Sequence, residues 1–169
     1  MGVDTQQIRG FDDLAAKLRA IAPALRRRVL RNALAAGARL VRDDARRAAP
    51  VLVNPAQVPY RTPGLVRSQI VVRTSKEARR KGDVGVFVNV RPAKGAKYRN
   101  GAQVRASQRG ARSKNDPFYW RFLEFGTRKM AARPFLKPAA GRLPQAMSIF
   151  QQQVGRWIEK TNSSGRVTP

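Results

Sequence analysis

The sequence predicts an α+β protein in which a long N-terminal helix and a C-terminal helix pack on a small antiparallel β-sheet, with a long basic loop. Three observations support this class. Apolar residues follow a helical period near both ends, two β-branched runs lie between them, and 42% of 169 residues are hydrophobic. We expect one domain over residues 1–160, including the loop 91–115, and a polar tail over 161–169.

The N-terminal part of the chain is predicted to be helical. Residues 11–22 place apolar side chains at helical spacing, with acids in the first turn where the helix dipole favours them. Pro23 suits the first position of a second helix, which measures roughly 39 Å at about 1.5 Å per residue. Its apolar positions form two overlapping, mostly small stripes: Leu25, Val29, Ala33, Ala36, Leu40 and Leu30, Leu34, Gly37, Val41, Ala45. We favour packing against the sheet over a contact between subunits.

A proline-rich segment and two strands follow. Residues 51–70 show no clean period and are predicted to form a loop that ends in a helical turn at Gly64–Ser68. The segments Ile70–Thr74 and Val84–Val90 are apolar and β-branched, which is typical of strands. The charged connection between them ends in Gly-Asp and favours an exposed hairpin, so we expect an antiparallel pair.

The segment 91–115 is strongly basic, since no acidic residue lies between Asp83 and Asp116. A loop of about 25 residues is usually either functional or disordered. Two interpretations stay open. The loop either contacts phosphates or an acidic protein, or it is a disordered, solvated loop. Tyr98 is its only aromatic residue, so any contact with nucleic acid would be with phosphates and blind to sequence. The candidate contacts are Arg91, Lys94, Lys97, Arg99, Arg105, Arg109, Arg112 and Lys114.

Helix signals return after this loop. Asp116 and Pro117 suit an N-cap and a first turn, so the segment "FYWRFLEF" is predicted to be a short helix rather than a strand. Gly126 follows at the place of a left-handed C-cap. The helix would carry three aromatic side chains on one face, those of Phe118, Phe122 and Phe125.

Glu124 is the only acid between Asp116 and Glu159 and is predicted to act as a structural clasp. It lies near Arg121, Arg128 and Arg133 and would pair with one or two of their guanidinium groups. Phe135 would anchor an extended segment in the core before Pro138 and Ala139 begin the last helix. That helix has a single apolar face formed by Leu143, Met147, Phe150, Val154, Trp157 and Ile158.

Composition restricts the chemistry. The net charge of +25 comes from 35 Lys and Arg against 10 Asp and Glu, and it indicates an anionic or acidic partner. Cysteine and histidine are absent from the sequence, which removes thiolate nucleophiles, imidazole bases and the commonest zinc ligands. We predict no catalytic site, no metal and no cofactor. A nuclease using Asp43, Asp44 and Glu124 is the enzymatic alternative, and no metal-ligand spacing supports it.

The segment "FLEFGTRKMAARPFLKPA" resembles the signature of a phage morphogenesis family, the neck or tail-completion proteins called the gene-product-ten family of lambdoid long-tailed phages. The resemblance lies in Glu124, Phe125, Gly126, Thr127, Met130, Ala132, Arg133, Pro134, Phe135, Pro138 and Ala139. The stretch "TPGLVRSQI" is similar to the family's T-G-x-L-x-x-S-I turn. Pro63 interrupts that turn, and the basic loop is longer than is usual in the family.

The resemblance implies a structural virion protein that forms a ring of identical copies at the head-tail junction. Its partners would be the head connector and the tail-terminator or tail-tube proteins, with non-specific contact with genomic DNA and no membrane. It would be located in the virion neck or tail and assembled in the host cytoplasm. The alternative is a nucleoid-like or ribosomal protein that binds phosphates without sequence specificity, as the charge alone would favour.

Overall fold

The computed structural model describes Ala15 and residues 23–53, 61–91 and 116–163, and it confirms the α+β class. In chain order the elements are α1 (Pro23–Ala48), α2 (Leu65–Gln69), β1 (Ile70–Thr74), α3 (Lys76–Arg80), β2 (Val86–Val90), α4 (Trp120–Phe125), α5 (Leu136–Ala139), a 3-10 turn (Ala140–Arg142) and α6 (Leu143–Ser163).

Strands β1 and β2 form a two-stranded antiparallel sheet. The bounds of β1 are as predicted, whereas β2 starts two residues later than expected. The connection is not a plain hairpin loop, because it contains the helical turn α3. Ser75 caps that turn, since its Oγ accepts a hydrogen bond from the Ala78 amide at 3.1 Å.

The buried side of α1 is one stripe with a four-residue repeat, drawn from both stripes that the sequence suggested. Its members are Val29, Ala33, Gly37, Val41, Ala45 and Ala49, the last lying just after the helix. Leu25, expected in the stripe, is exposed. Because these residues are small, the backbone of a neighbouring element can approach α1 closely.

Contacts divide the chain into two compact units. The first comprises Met1–Leu40, Arg73–Phe87 and Leu143–Pro169. Its apolar cluster is formed by Ala33, Val154 and Ile158, with Leu30, Phe150 and Trp157 packed against it. The second unit comprises Val41–Val72 and Val88–Arg142. The single-domain organisation over residues 1–160 stays a prediction.

Within the first unit, α6 meets α1 at a glycine. A Cβ on Gly37 would lie 2.3 Å from the carbonyl oxygen of Ala146, so the two backbones are in direct contact there. The expected apolar face of α6 is therefore wrong at its first turns. Ala146 is buried, while Leu143 and Met147 are exposed.

In the second unit, polar side chains tie α1 to the elements that follow it. Arg46 donates to the carbonyl of Ile70 at 3.1 Å, and Arg67 donates to the carbonyl of Ala49 at 3.2 Å. Asp44 accepts from Arg47 and, at 2.6 Å, from Arg142. The pKa of Asp44 lies below its ordinary value, chiefly because of the hydrogen bond from Arg142; desolvation opposes this effect, and the hydrogen bond and charge of Arg47 add to the lowering.

Some predictions fall outside the described residues. These are the helix over 11–22, except for Ala15, which is helical, the basic loop over 92–115, and the tail from residue 164 onward. Helix α6 extends to Ser163, so the first three residues of the predicted tail belong to it.

Candidate functional site

Glu124 holds the turn between α4 and α5, but through backbone amides and not through guanidinium groups. Its Oε2 accepts from the amides of Phe135 and Leu136 at 2.9 and 3.0 Å, and its Oε1 accepts from Lys137 at 2.8 Å. These are the free amides at the start of α5, which a carboxylate satisfies with charge-assisted hydrogen bonds. The carboxylate is buried, with 6% of the residue exposed.

The predicted ion pair is therefore wrong. The arginines that were expected to pair with Glu124 form no ion pair with it in the described structure, and all of them are exposed: Arg121, Arg128 and Arg133. Arg133 contributes its backbone instead, because its amide donates to the carbonyl of Leu123 at 2.7 Å. Extended chain after the turn thus pairs with the end of α4.

The start of α4 also differs from the prediction. The helix begins at Trp120, and Asp116 is not its N-cap, since the cap residue is Tyr119 and makes no side-chain bond. The Trp120 amide donates to the carbonyl of Pro117 at 2.9 Å, which places a turn ahead of the helix. Asp116 is buried rather than exposed at a helix end.

Gly126 ends α4 with a positive φ, as predicted, but not in the left-handed helical conformation. Its φ of 74° and ψ of −177° lie in a region that is essentially restricted to glycine. A Cβ there would also meet the amide nitrogen of Ala132 at 2.9 Å and the carbonyl oxygen of Met130 at 3.0 Å. Thr127 continues the turn by forming an isolated bridge with Met130. Glycine is required here for two independent reasons.

This hydrogen-bonded turn presents apolar side chains to solvent. Phe125 is 76% exposed, Phe122 is 46% exposed and Met130 is 37% exposed. The aromatic face therefore does not enter the core as a whole, although the ring of Phe118 meets that of Phe122 edge to face at 6.1 Å. Phe135 is fully buried, which confirms it as the core anchor of the segment. Pro134 and Pro138 are exposed on the same stretch.

An apolar cavity of about 470 Å³ lies beside the turn. Phe122, Leu123 and Met130 line it on one side, and the segments 50–53 and 61–66 line it elsewhere. Val53 is 96% exposed. The sequence analysis did not predict this apolar surface. The apolar run "VLV", which stands in a loop directly after α1, could have indicated it.

Arginine and tyrosine close one wall of the cavity. The guanidinium of Arg61 lies over the rings of Phe118 and Tyr119, 4.8 and 4.3 Å from their centres. Burial raises the pKa of the Tyr119 hydroxyl, while the positive charge of Arg61 opposes that effect. The hydroxyl is therefore neutral at ordinary pH, and it can donate or accept hydrogen bonds.

Of the eight basic candidates in the loop, only Arg91 is described. Its amide donates to the carbonyl of Gln69 at 2.8 Å, and its Nε donates to the Gln69 side chain at 3.1 Å. Arg91 therefore belongs to the end of the sheet. The remaining candidates lie outside the described residues: Lys94, Lys97, Arg99, Arg105, Arg109, Arg112 and Lys114.

The carboxylates of the enzymatic alternative are each engaged elsewhere. Asp43 binds Arg42 at 2.8 Å, and that hydrogen bond, aided by the positive charges nearby, lowers its pKa. Asp44 binds two arginines, and Glu124 binds three amides. Among the described residues no group of three acidic side chains could hold a metal ion.

The comparison with protein families matches residues 12–126 to a family described as "Bacteriophage HK97-gp10, putative tail-component". The chain belongs to this family. The match includes α1, both strands and α4, and it ends at the glycine that closes α4. The family motif beyond Gly126, including Thr127, Arg133 and Phe135, lies outside the matched range and stays a resemblance. Comparisons with curated proteins and with solved structures gave no match.

Membership in the HK97-gp10-like family makes the chain a structural protein of the phage tail, located in the virion. Such a component interacts with other virion proteins, and the family is generally non-enzymatic. None of the helices in the described ranges combines the length and hydrophobicity that a membrane span requires.

Proposed function

We propose that this tail protein completes the neck: it forms a ring at the head-tail junction and joins the head connector to the tail. The observation that carries the proposal is a turn with a fixed backbone and exposed apolar side chains, centred on Phe125. Family membership supports a tail protein, and the resemblance of the motif to neck proteins supports the position at the junction.

The turn is well suited to docking because its conformation is set before any partner arrives. Glu124 holds three amides, Arg133 pairs with Leu123, and Gly126 admits a backbone conformation that other residues avoid. A preformed surface loses little conformational entropy on binding. Exposed aromatic side chains on such a surface provide the large contact areas that dominate protein interfaces.

Charge supports an acidic partner for this surface. The apolar side chains are flanked by exposed basic residues: Arg121, Arg128, Lys129 and Arg133. A second copy of a chain with net charge +25 would repel this rim, whereas a neighbouring virion protein with an acidic rim around an apolar patch would match it. We therefore assign the surface to the head connector or tail-terminator side of the ring, and not to contacts between identical copies.

Deletion of the gene tests the position in the particle. We expect filled heads and separate tails, or tails with defective upper ends, in electron micrographs of the lysate. Normally joined, infectious particles from the deletion strain would contradict the proposal.

Complementation with variants tests the surface. Phe125→Ser should remain folded, because its side chain is 76% exposed, yet restore plaque formation poorly. Phe87→Ser is the matched control, since Phe87 is also a partly exposed phenylalanine, 40% exposed, but lies in β2. If both variants restore plaques as wild type does, the turn is not the docking surface, even though the deletion result could still support a neck protein.

A further inference from the structure

The first two thirds of α1 carry a face made of arginine. Arg27, Arg31, Arg28 and Arg39 fall within an arc of about 120° when successive residues are separated by about 100°. This arc is opposite the buried stripe of Val29, Ala33 and Gly37, and all four arginines are exposed. The face extends for about 18 Å at about 1.5 Å per residue.

These four arginines differ from those further along the same helix. Arg27, Arg28 and Arg39 have no hydrogen bond or ion pair within the described structure, and Arg31 makes a 3.4 Å contact with its neighbour Asn32. The arginines after residue 40 are engaged: Arg42 with Asp43, Arg46 with a carbonyl group and Arg47 with Asp44. The arginines after residue 40 therefore stabilise the fold. The four arginines before residue 40 have no such structural role.

The chemistry of the face favours nucleic acid over protein. Protein interfaces have an apolar or aromatic centre with charges at the rim, whereas the side chains between these arginines are those of Ala35 and Ala38. No acidic residue occurs between Pro23 and Arg42. A guanidinium group binds a phosphate through two parallel hydrogen bonds, and duplex DNA presents one negative charge per about 1.7 Å of axis.

We propose that the arginine face, defined as Arg27, Arg28, Arg31 and Arg39, binds duplex DNA through its phosphates without sequence preference. This activity goes beyond joining the head to the tail and does not depend on the ring. It assigns DNA contact to a regular helix within the family-matched range, rather than to the basic loop 92–115 alone.

The experiment measures binding of a duplex of random sequence as salt is varied. The variant R27Q/R28Q/R31Q/R39Q should reduce the slope of log K against log salt by about 3 to 4, since each phosphate contact contributes about 0.9. Circular dichroism should be unchanged, because Arg and Gln have similar helix propensities. The conservative variant R27K/R28K/R31K/R39K should retain most of the slope.

A matched control removes the same charge from elsewhere. The variant R73Q/K137Q/R156Q/K160Q changes four exposed basic residues that have no side-chain partner in the described structure and lie outside the docking surface. It should leave the slope within about 1 of the wild-type value, since these side chains make no phosphate contacts in this proposal.

Three outcomes would overturn the proposal. One is a wild-type protein that does not bind the duplex at about 0.1 M salt, where contacts with several phosphates give measurable affinity. Another is an equal loss of slope in the two glutamine variants, which would mean diffuse attraction without a defined face. The third is an arginine-face variant that keeps its slope but fails to join heads to tails, which would assign the face to an acidic protein.

Discussion

Glu124→Gln should destabilise the protein strongly although it changes one atom. The carboxylate accepts three amide hydrogen bonds, two at Oε2 and one at Oε1. A glutamine amide can place its oxygen at only one of these positions. With its oxygen at the Oε2 position, its NH2 group faces the amide of Lys137, so that half-buried N–H loses its acceptor.

The size of the effect follows from these contacts. Leaving one donor unsatisfied in a buried site costs about 1–3 kcal/mol. The other two hydrogen bonds change from charge-assisted to neutral, which halves their strength and costs about 1 kcal/mol each. We expect the free energy of unfolding to fall by about 3–5 kcal/mol, measured by urea denaturation followed by circular dichroism.

Two comparisons test the assignment of partners. Glu159→Gln removes the same charge from an exposed position of α6 and should change the stability by less than about 0.5 kcal/mol. Arg128→Gln should be equally mild, because Arg128 does not pair with Glu124. A loss below about 1 kcal/mol for Glu124→Gln would refute the capping role of the carboxylate. A large loss for Arg128→Gln would support an ion pair between Arg128 and Glu124 instead.

Gly126→Ala should lower stability by about 1–3 kcal/mol or more in the same denaturation assay, because its φ of 74° is strained for alanine and a Cβ would meet backbone atoms at 2.9 and 3.0 Å; a melting temperature equal to that of wild type would contradict this. Gly37→Ala should destabilise the protein by about 1–3 kcal/mol because it overpacks the contact between α1 and α6. Gly155→Ala is the control and should stabilise the protein by about 0.5–1 kcal/mol, because the space around its Cβ is open. Equal melting temperatures for the two variants would refute the close approach of α6 to Gly37. The folded pKa of Asp44 lies below its unfolded value of 3.8, so its contribution is present above pH 3.8 and is lost as pH falls through the folded pKa. Asp44→Asn should therefore lose less stability than wild type between pH 6 and about pH 2.5, while an unchanged pH profile would show that the Arg142 contact is absent in solution.

Elements with strong local signals could be predicted from the sequence. Helix α1 and strand β1 were expected at the positions where they occur, because side-chain periodicity and proline placement act within a few residues of chain. A glycine with positive φ was expected at residue 126 for the same reason, and the family motif around it was recognisable. The basic composition indicates an anionic partner, and that stays a prediction.

Only the tertiary structure decided which groups meet. Glu124 lies 11 to 13 residues from the amides it binds, and sequence neighbours suggested arginines instead. The close contact between Gly37 and Ala146 selected which face of α6 is buried, so that Leu143 and Met147 remained exposed. A distant segment likewise engages Arg46, whose guanidinium donates to the carbonyl of Ile70, 24 residues further along the chain. Periodicity specifies the faces of an element, but the partner of each face depends on how remote segments pack.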